Sequence, residues 1–277
     1  DLKMVVPQDY APTIRDRVLC ADEIRELRDI FDAMQAEYAA APDRRTAVRP
    51  VLRETQIAMW LCLSTACRIG ELLKARWENV DLAAGVWFVP QQDTKTKVDW
   101  TVLLSDFALR QFKELHGLTK DSACCFPASN REGSVDGKTV SKQIGDRQMQ
   151  FKNRKPLQRR RNDNTLVLAQ GRRGEWTPHD LRRTAATMMQ MLGIQPDVID
   201  RCQNHVMPGS KVRRHYMHYD FADEKREAWQ RLGEKLDSIL GPAGAADDRQ
   251  ELAGSARGSI RSARLPAPAR QTASMPI

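Results

Sequence analysis

Thr177-Pro178-His179-Asp180-Leu181-Arg182-Arg183-Thr184-Ala185-Ala186-Thr187-Met188-Met189-Gln190-Met191-Leu192-Gly193 reads as a helix that carries chemistry in its first turn. Thr177 is a favoured N-cap. Pro178 takes the first helical position, where its missing N–H costs nothing, and Asp180 stands three after the cap as an acidic partner. Gly193 supplies the stop. In that frame His179 and Arg182 lie three residues apart, so they share one face beside a helix N-terminus that already favours anions. An imidazole and a guanidinium on one face suit a phosphate.

Upstream of this helix, residues 128–175 lose regular periodicity, with one helix expected through Val140 and Ile144. Lys152, Arg154, Lys155, Arg159, Arg160 and Arg161 crowd into the ten residues that follow. Such a run is either a solvated loop face or a loop lying on phosphates. Farther back, Gly85–Pro90 and Val98–Leu104 are rich in β-branched and aromatic residues and flank a polar connection from Gln91 to Lys97. This predicts a β-hairpin with a basic tip. Cys124–Pro127 reads as a short buried strand. Apolar positions at Ile24, Leu27, Phe31, Met34 and Tyr38 mark one helix, and Leu109, Phe112 and Leu115 behind a Ser105 cap mark another. Between them a helix through Val51, Leu52, Ile57, Trp60 and Leu61 continues from Ser64 to Trp77, with a join expected at Gly70.

Downstream, Pro196 opens a helix ending near Asn204-His205, Met207–Ser210 forces a loop, and Val212–Tyr219 is basic and aromatic. Asp223–Leu240 sets Trp229, Leu232, Leu236 and Ile239 on one helical face. The fold class expected is mainly α with a small antiparallel β-sheet or hairpin, an α+β arrangement.

The chain has 277 residues, enough for one large domain or two modest ones, and its 44 lysines and arginines against 36 acids give +8. A basic surplus raises the expectation of a polyanionic partner. After Gly241 large apolar residues almost vanish, and residues 241–277 read as a disordered tail. That tail holds five arginines against three acids, so the remainder is basic in its own right at +6. The six cysteines show no CxxC spacing and read as reduced thiols of a cytosolic protein. No run approaches the ~18 apolar residues of a membrane span, and no signal segment opens the chain.

Five of these pieces, in order, resemble the tyrosine recombinases, specifically phage-type integrases. They are Arg68 within Thr-Ala-Cys-Arg-Ile-Gly-Glu-Leu, a lysine in the hairpin tip, His179-Asp180-Leu181-Arg182, Asn204-His205, and a tyrosine ahead of Glu224-Lys225-Arg226. The resemblance covers roughly residues 20–240. It implies a catalytic domain over 20–240, with residues 1–19 as the linker from an N-terminal DNA-binding domain. Residue by residue it implies Arg68 and Arg182 as the catalytic arginines, Glu71 as the supporting acid, His179 and His205 as the two histidines, and Tyr216 as the nucleophile. Lys95 matches the hairpin lysine, with Lys97 its close rival. Tyr219, three residues beyond Tyr216, is the competing tyrosine; alignment back from Glu224-Lys225-Arg226 favours Tyr216. Lys97, Arg183 and the basic run from Lys152 to Arg161 are candidates for DNA contact.

The chemistry so implied is site-specific recombination of double-stranded DNA through a 3′-phosphotyrosyl intermediate, for integration or excision of a phage or mobile element, without metal, ATP or another cofactor. Forked guanidiniums can hold both non-bridging oxygens of the crowded phosphorus state, as an ammonium cannot. A phenol of pKa ~10 needs a base and a cationic surround. The leaving 5′ oxygen needs an acid. Relatives work as tetramers on synapsed DNA, so a homo-tetramer is expected at work and a monomer for an isolated fragment, in the cytoplasm and on the nucleoid. The alternative readings are relaxation of supercoils by the same chemistry, as a type IB topoisomerase, and DNA binding by a regulator that keeps the fold and does not cleave.

Overall fold

A computed structural model of the chain describes residues 15–130, 132–156, 161–205 and 219–241. The helix α2 (Arg53–Thr65) is buried from Thr55 to its end. A helix buried on every side belongs at the centre of a bundle. Around it pack α4 (Asp106–Thr119), α6 (Pro178–Met191) and α8 (Ala222–Leu240). The helix α1 (Ala21–Ala40) buries Ile24, Leu27 and Phe31, the face its spacing predicts, and sets Phe31 edge-on to Trp60 with ring centres 5.9 Å apart.

The expected hairpin is present as β2 (Val86–Val89) and β3 (Trp100–Leu103), paired antiparallel with Val86 opposite Leu103 and Val89 opposite Trp100. A two-residue strand, β1 (Val80–Asp81), extends it into a three-stranded sheet. Two residues are too few to leave a pattern in sequence. Trp87 turns inward while Phe88 stays exposed, as alternation on a half-buried sheet demands. From Trp87 a file of rings passes through Trp100, 6.1 Å away, to Trp229 of α8, 6.4 Å farther, and so ties the sheet to the last helix.

Two expectations are corrected. The helix through Val51 does not run on to a join at Gly70; it stops at Ala66, whose φ of 56° is left-handed, and Gly70 lies inside a one-turn helix, α3 (Ile69–Leu72). The Thr65 hydroxyl donates to the Leu61 carbonyl at 2.7 Å and accepts from the Cys67 amide at 3.3 Å, so local side-chain bonding competes with the helix at that point. Cys124–Pro127 is buried through Phe126 but forms no strand, only isolated bridges between Arg76 and Cys124 and between Pro127 and Ser134. Proline cannot donate to a ladder.

The remaining helices are α5 (Gly137–Gly145) and α7 (Pro196–Cys202). All six cysteines are free thiols. Among the described residues no helix is long and apolar enough to cross a membrane, and no cluster of His, Cys, Asp or Glu could hold a metal ion.

Candidate active site

The first turn of α6 is built as its sequence predicts. The Asp180 carboxylate accepts from the Thr177 amide and hydroxyl, each at 2.8 Å, closing the N-terminus, and Gly193 takes φ 75° beyond the last turn. Asp180 is fully buried and also carries ion pairs to Arg183 and, at 3.0 Å, to Arg15. The segment before α1 therefore lies along this helix, and Leu19 repeats the contact by donating its amide to the Thr184 hydroxyl at 2.9 Å.

Arg182, one turn in, is 2% exposed. Its Nη1 donates to the carbonyl of Ala66 at 2.7 Å and its Nη2 to that of Gln203 at 2.6 Å. Arg68 reaches the next carbonyl, that of Asn204, with both Nη atoms at 3.4 Å. The Trp100 indole N–H takes the Arg201 carbonyl at 3.2 Å. Helix ends leave carbonyls without partners and carry negative partial charge, so the C-terminus of α7 draws both guanidiniums to one spot. Two cations there repel. Burial first, and then the Arg68 charge, push the Arg182 pKa from 12.5 down to about 10, which leaves it charged at neutral pH.

Glu71 offsets that repulsion. One carboxylate oxygen, Oε1, accepts from Arg68 at 2.9 Å and from the backbone amide of Lys95 at 3.1 Å. The acid thus joins the first arginine to the hairpin tip, while Lys74 pairs instead with Asp93 at 3.5 Å. Lys95 and Lys97 both have exposed side chains, and Lys97 sits at φ 59° in the turn. Thr96, between them, donates its hydroxyl to the Asn204 side-chain oxygen at 3.1 Å.

His179 is exposed at the head of α6. Partial burial of the ring, then Arg183, Arg182 and Arg68 nearby, hold its pKa below the usual 6.5, so it is a neutral base at pH 7. His205 follows Asn204 and sets Nδ1 2.9 Å from the Asp200 carboxylate, leaving Nε2 as the ring nitrogen for a ligand. Arg68, Glu71, Lys95, His179, Arg182 and His205 thus gather around the end of α7. Tyr216, Arg159 and Arg160 lie outside the described residues. Tyr219 donates its hydroxyl to Glu224, 3.1 Å from either oxygen, and that bond raises its pKa and keeps the proton on. A phenol so held is a poor nucleophile.

The DNA-contact candidates divide. Arg183 is committed to Asp180, Lys152 to Glu175, Arg154 to Asp146 and Arg161 to Asp163, whereas Lys155 is exposed. Lys152 and Arg154 line a groove of about 650 Å³ together with Lys138, Ser141 and Lys142 of α5 and Ile69 of α3. Lys138 and Lys142 escaped the sequence reading, although their spacing with Ser141 marks one exposed face of a helix whose opposite face, Val140 and Ile144, is buried. The bond between Thr96 and Asn204 escaped it too, because a hydrogen bond between residues 108 positions apart leaves no local signal.

The sequence profile described as the Phage integrase family matches residues 21–223. Prophage integrase IntA of Escherichia coli (strain K12) is 28% identical over 197 residues, 68% of this chain and 42% of the relative, so the chain spans less than half of that protein's length. Among solved structures, an integrase from mycobacterium phage Brujita superposes with a TM-score of 0.50 at 15% identity, covering 84% of this chain and 66% of the other. XerA recombinase gives a TM-score of 0.48 at 19% identity over 79% of this chain and 66% of that one.

Proposed function

The chain belongs to the phage integrase family, and we propose that it is a site-specific recombinase that cuts and rejoins duplex DNA through a 3′-phosphotyrosyl link. The observation that carries this reading is the convergence of Arg68 and Arg182 on the consecutive carbonyls of Asn204 and Gln203, with His179 and the Lys95 turn beside them. Fixed cations with N–H groups to spare are what a phosphate gaining negative charge requires.

In this reading the Tyr216 oxygen attacks phosphorus, its proton passing to neutral His179. The bond from phosphorus to the 5′ oxygen breaks, and the Lys95 ammonium gives that oxygen a proton. Arg68, Arg182 and His205 hold the non-bridging oxygens, and Glu71 keeps Arg68 and the lysine turn in register. The ester retains the bond energy, so attack by another 5′ hydroxyl reverses the step without a nucleotide cofactor. Flanking duplex lies along the α5 groove, where Lys138, Lys142, Lys152 and Arg154 meet phosphates. Exchange between two duplexes cuts four strands and engages a tyrosine at each cut, which asks for four copies on DNA; an isolated fragment is a monomer. The protein acts in the cytoplasm on integrated or circular element DNA, as its likeness to a prophage integrase suggests.

A nicked suicide substrate carrying the cognate site tests the reading. Wild-type protein and Tyr219→Phe trap a covalent adduct, and Tyr216→Phe binds the same DNA but forms none. An adduct in Tyr216→Phe moves the nucleophile elsewhere; no adduct with wild type leaves a DNA-binding protein without cleavage.

A further inference from the structure

We propose that the hydrogen bond between Thr96 and Asn204 is a latch that positions the hairpin-tip lysine over the leaving group, which makes Thr96 and Asn204 positioning residues of the cleavage step. The inference rests on the reading of Lys95 as the acid.

The turn that carries Lys95 is knotted internally. Thr94, 2% exposed, sets its hydroxyl 3.1 Å from the Gln91 carbonyl and 3.0 Å from that of Val98, and the Gln91 amide donates to Asp99 at 2.7 Å. Such a turn moves as one piece. Two hydrogen bonds join it to the arginine cluster, one on each side of the Lys95 side chain: the Lys95 amide to Glu71 at 3.1 Å and the Thr96 hydroxyl to Asn204 Oδ1 at 3.1 Å. A third tie, Lys74 to Asp93 at 3.5 Å, is an ion pair with the lysine 52% exposed, of a kind that contributes little. Lysine has four rotatable bonds, so where its ammonium spends its time depends on how firmly the backbone beneath it is held.

Asn204 serves three neighbours at once. Its carbonyl accepts from Arg68, its side chain holds Thr96, and its chain direction sets His205, the next residue. Among the described residues its buried Nδ2 has no hydrogen-bond partner, so the Thr96 contact is what orients the amide. At φ 49° Asn204 occupies the left-handed region that asparagine and glycine tolerate. Asn204→Gly therefore removes the latch while leaving the carbonyl to Arg68 in place, a separation that substitution of Glu71 could not achieve, because Glu71 bonds Arg68 and Lys95 through the same oxygen.

The test is single-turnover cleavage at saturating DNA, comparing an ordinary substrate with one whose scissile 5′ oxygen is replaced by sulfur. A thiolate leaves without a proton, so the sulfur substrate no longer needs the acid. Thr96→Val and Asn204→Gly should each slow cleavage of the ordinary substrate by about 10- to 100-fold, a part of what a positioned acid contributes. Both should return to within about 3-fold of wild type on sulfur, and the double variant should be no slower than the slower single, since both remove one contact. Unchanged melting temperatures exclude a folding loss. Equal slowing on both substrates, or no slowing on the ordinary one, overturns the latch. Lys95→Ala is the control that separates the two claims: if sulfur rescues Lys95→Ala but not the latch variants, the latch alone fails, and if sulfur does not rescue Lys95→Ala, the assignment of the acid fails with it.

Discussion

Arg182 and His179 lie three residues apart, yet one is buried and the other exposed, and the difference sets their chemistry. Arg182 spends two N–H groups on carbonyls and keeps its charge, since about 10 is still well above neutral. His179 is discouraged from charging by partial burial first and by Arg183, Arg182 and Arg68 next. Its folded pKa therefore lies below the unfolded value of 6.5. Between those two values the unfolded chain binds a proton that the folded chain refuses, so the contribution of His179 to stability is complete above 6.5 and lost as pH falls through that window. Neutral His179 also persists into mild acid, which predicts that the acid limb of adduct formation has its midpoint below pH 6.5. Arg183→Gln, which removes the largest charge acting on the ring, should move that midpoint upward. A pH profile of single-turnover cleavage checks both, and a wild-type midpoint at or above 6.5 would contradict the assignment of His179 as base.

Among the elements, the crossing of α4 and α8 is close enough for a single substitution to probe. Gly233 of α8 lies against Ser105, the N-cap of α4 whose hydroxyl accepts from the Ala108 amide. A Cβ at position 233 would stand 2.6 Å from Ser105 Oγ and 2.7 Å from its Cβ, distances no packed pair sustains. Gly233→Ala should gain about 1 kcal/mol of helix propensity. It should lose more, about 1–3 kcal/mol through overpacking and a disturbed cap. The net expectation is a lower melting temperature, measurable by thermal denaturation; a higher one would mean that the helices part at little cost. The crossing matters for the site because α8 also brings the Trp229 indole N–H to the Thr65 carbonyl at 2.9 Å, one residue before Ala66.

At the scale of the whole molecule, charge and closure act together. Arg25 and Arg28 of α1 donate to the carbonyls of Ile239 at 3.0 Å and Leu240 at 2.7 Å, so the first helix closes the end of the last, while Arg15 and Leu19 fasten the lead-in segment along α6. The α5 groove presents a group of cations to solvent. Lys152 and Arg154 are neutralised there by Glu175 and Asp146, but Lys138 and Lys142 have no ion pair among the described residues. Each phosphate contact contributes about −0.9 to the slope of log affinity against log salt. Lys138→Ala and Lys142→Ala should each make that slope shallower by about 1 and weaken specific and nonspecific DNA alike, as equilibrium titrations over a range of salt can measure. Loss confined to the cognate site would mean base contact instead.

The chain alone determined every long helix, the hairpin and the cap at Thr177, because each rests on a local rule: apolar spacing, a β-branched run, a threonine followed three residues on by an acid. It also singled out Arg68, Glu71, His179, Arg182 and His205 as candidates, through an order of motifs that resembles one family. Tertiary structure alone decided the break at Ala66, where a left-handed alanine is held between the Thr65 carbonyl taken by Trp229 and its own carbonyl taken by Arg182. It decided as well that the arginines meet over the end of α7, and that Thr96 and Asn204 touch. These outcomes depend on which distant donors satisfy the orphaned carbonyls of helix ends, and that pairing is set only when the helices have packed.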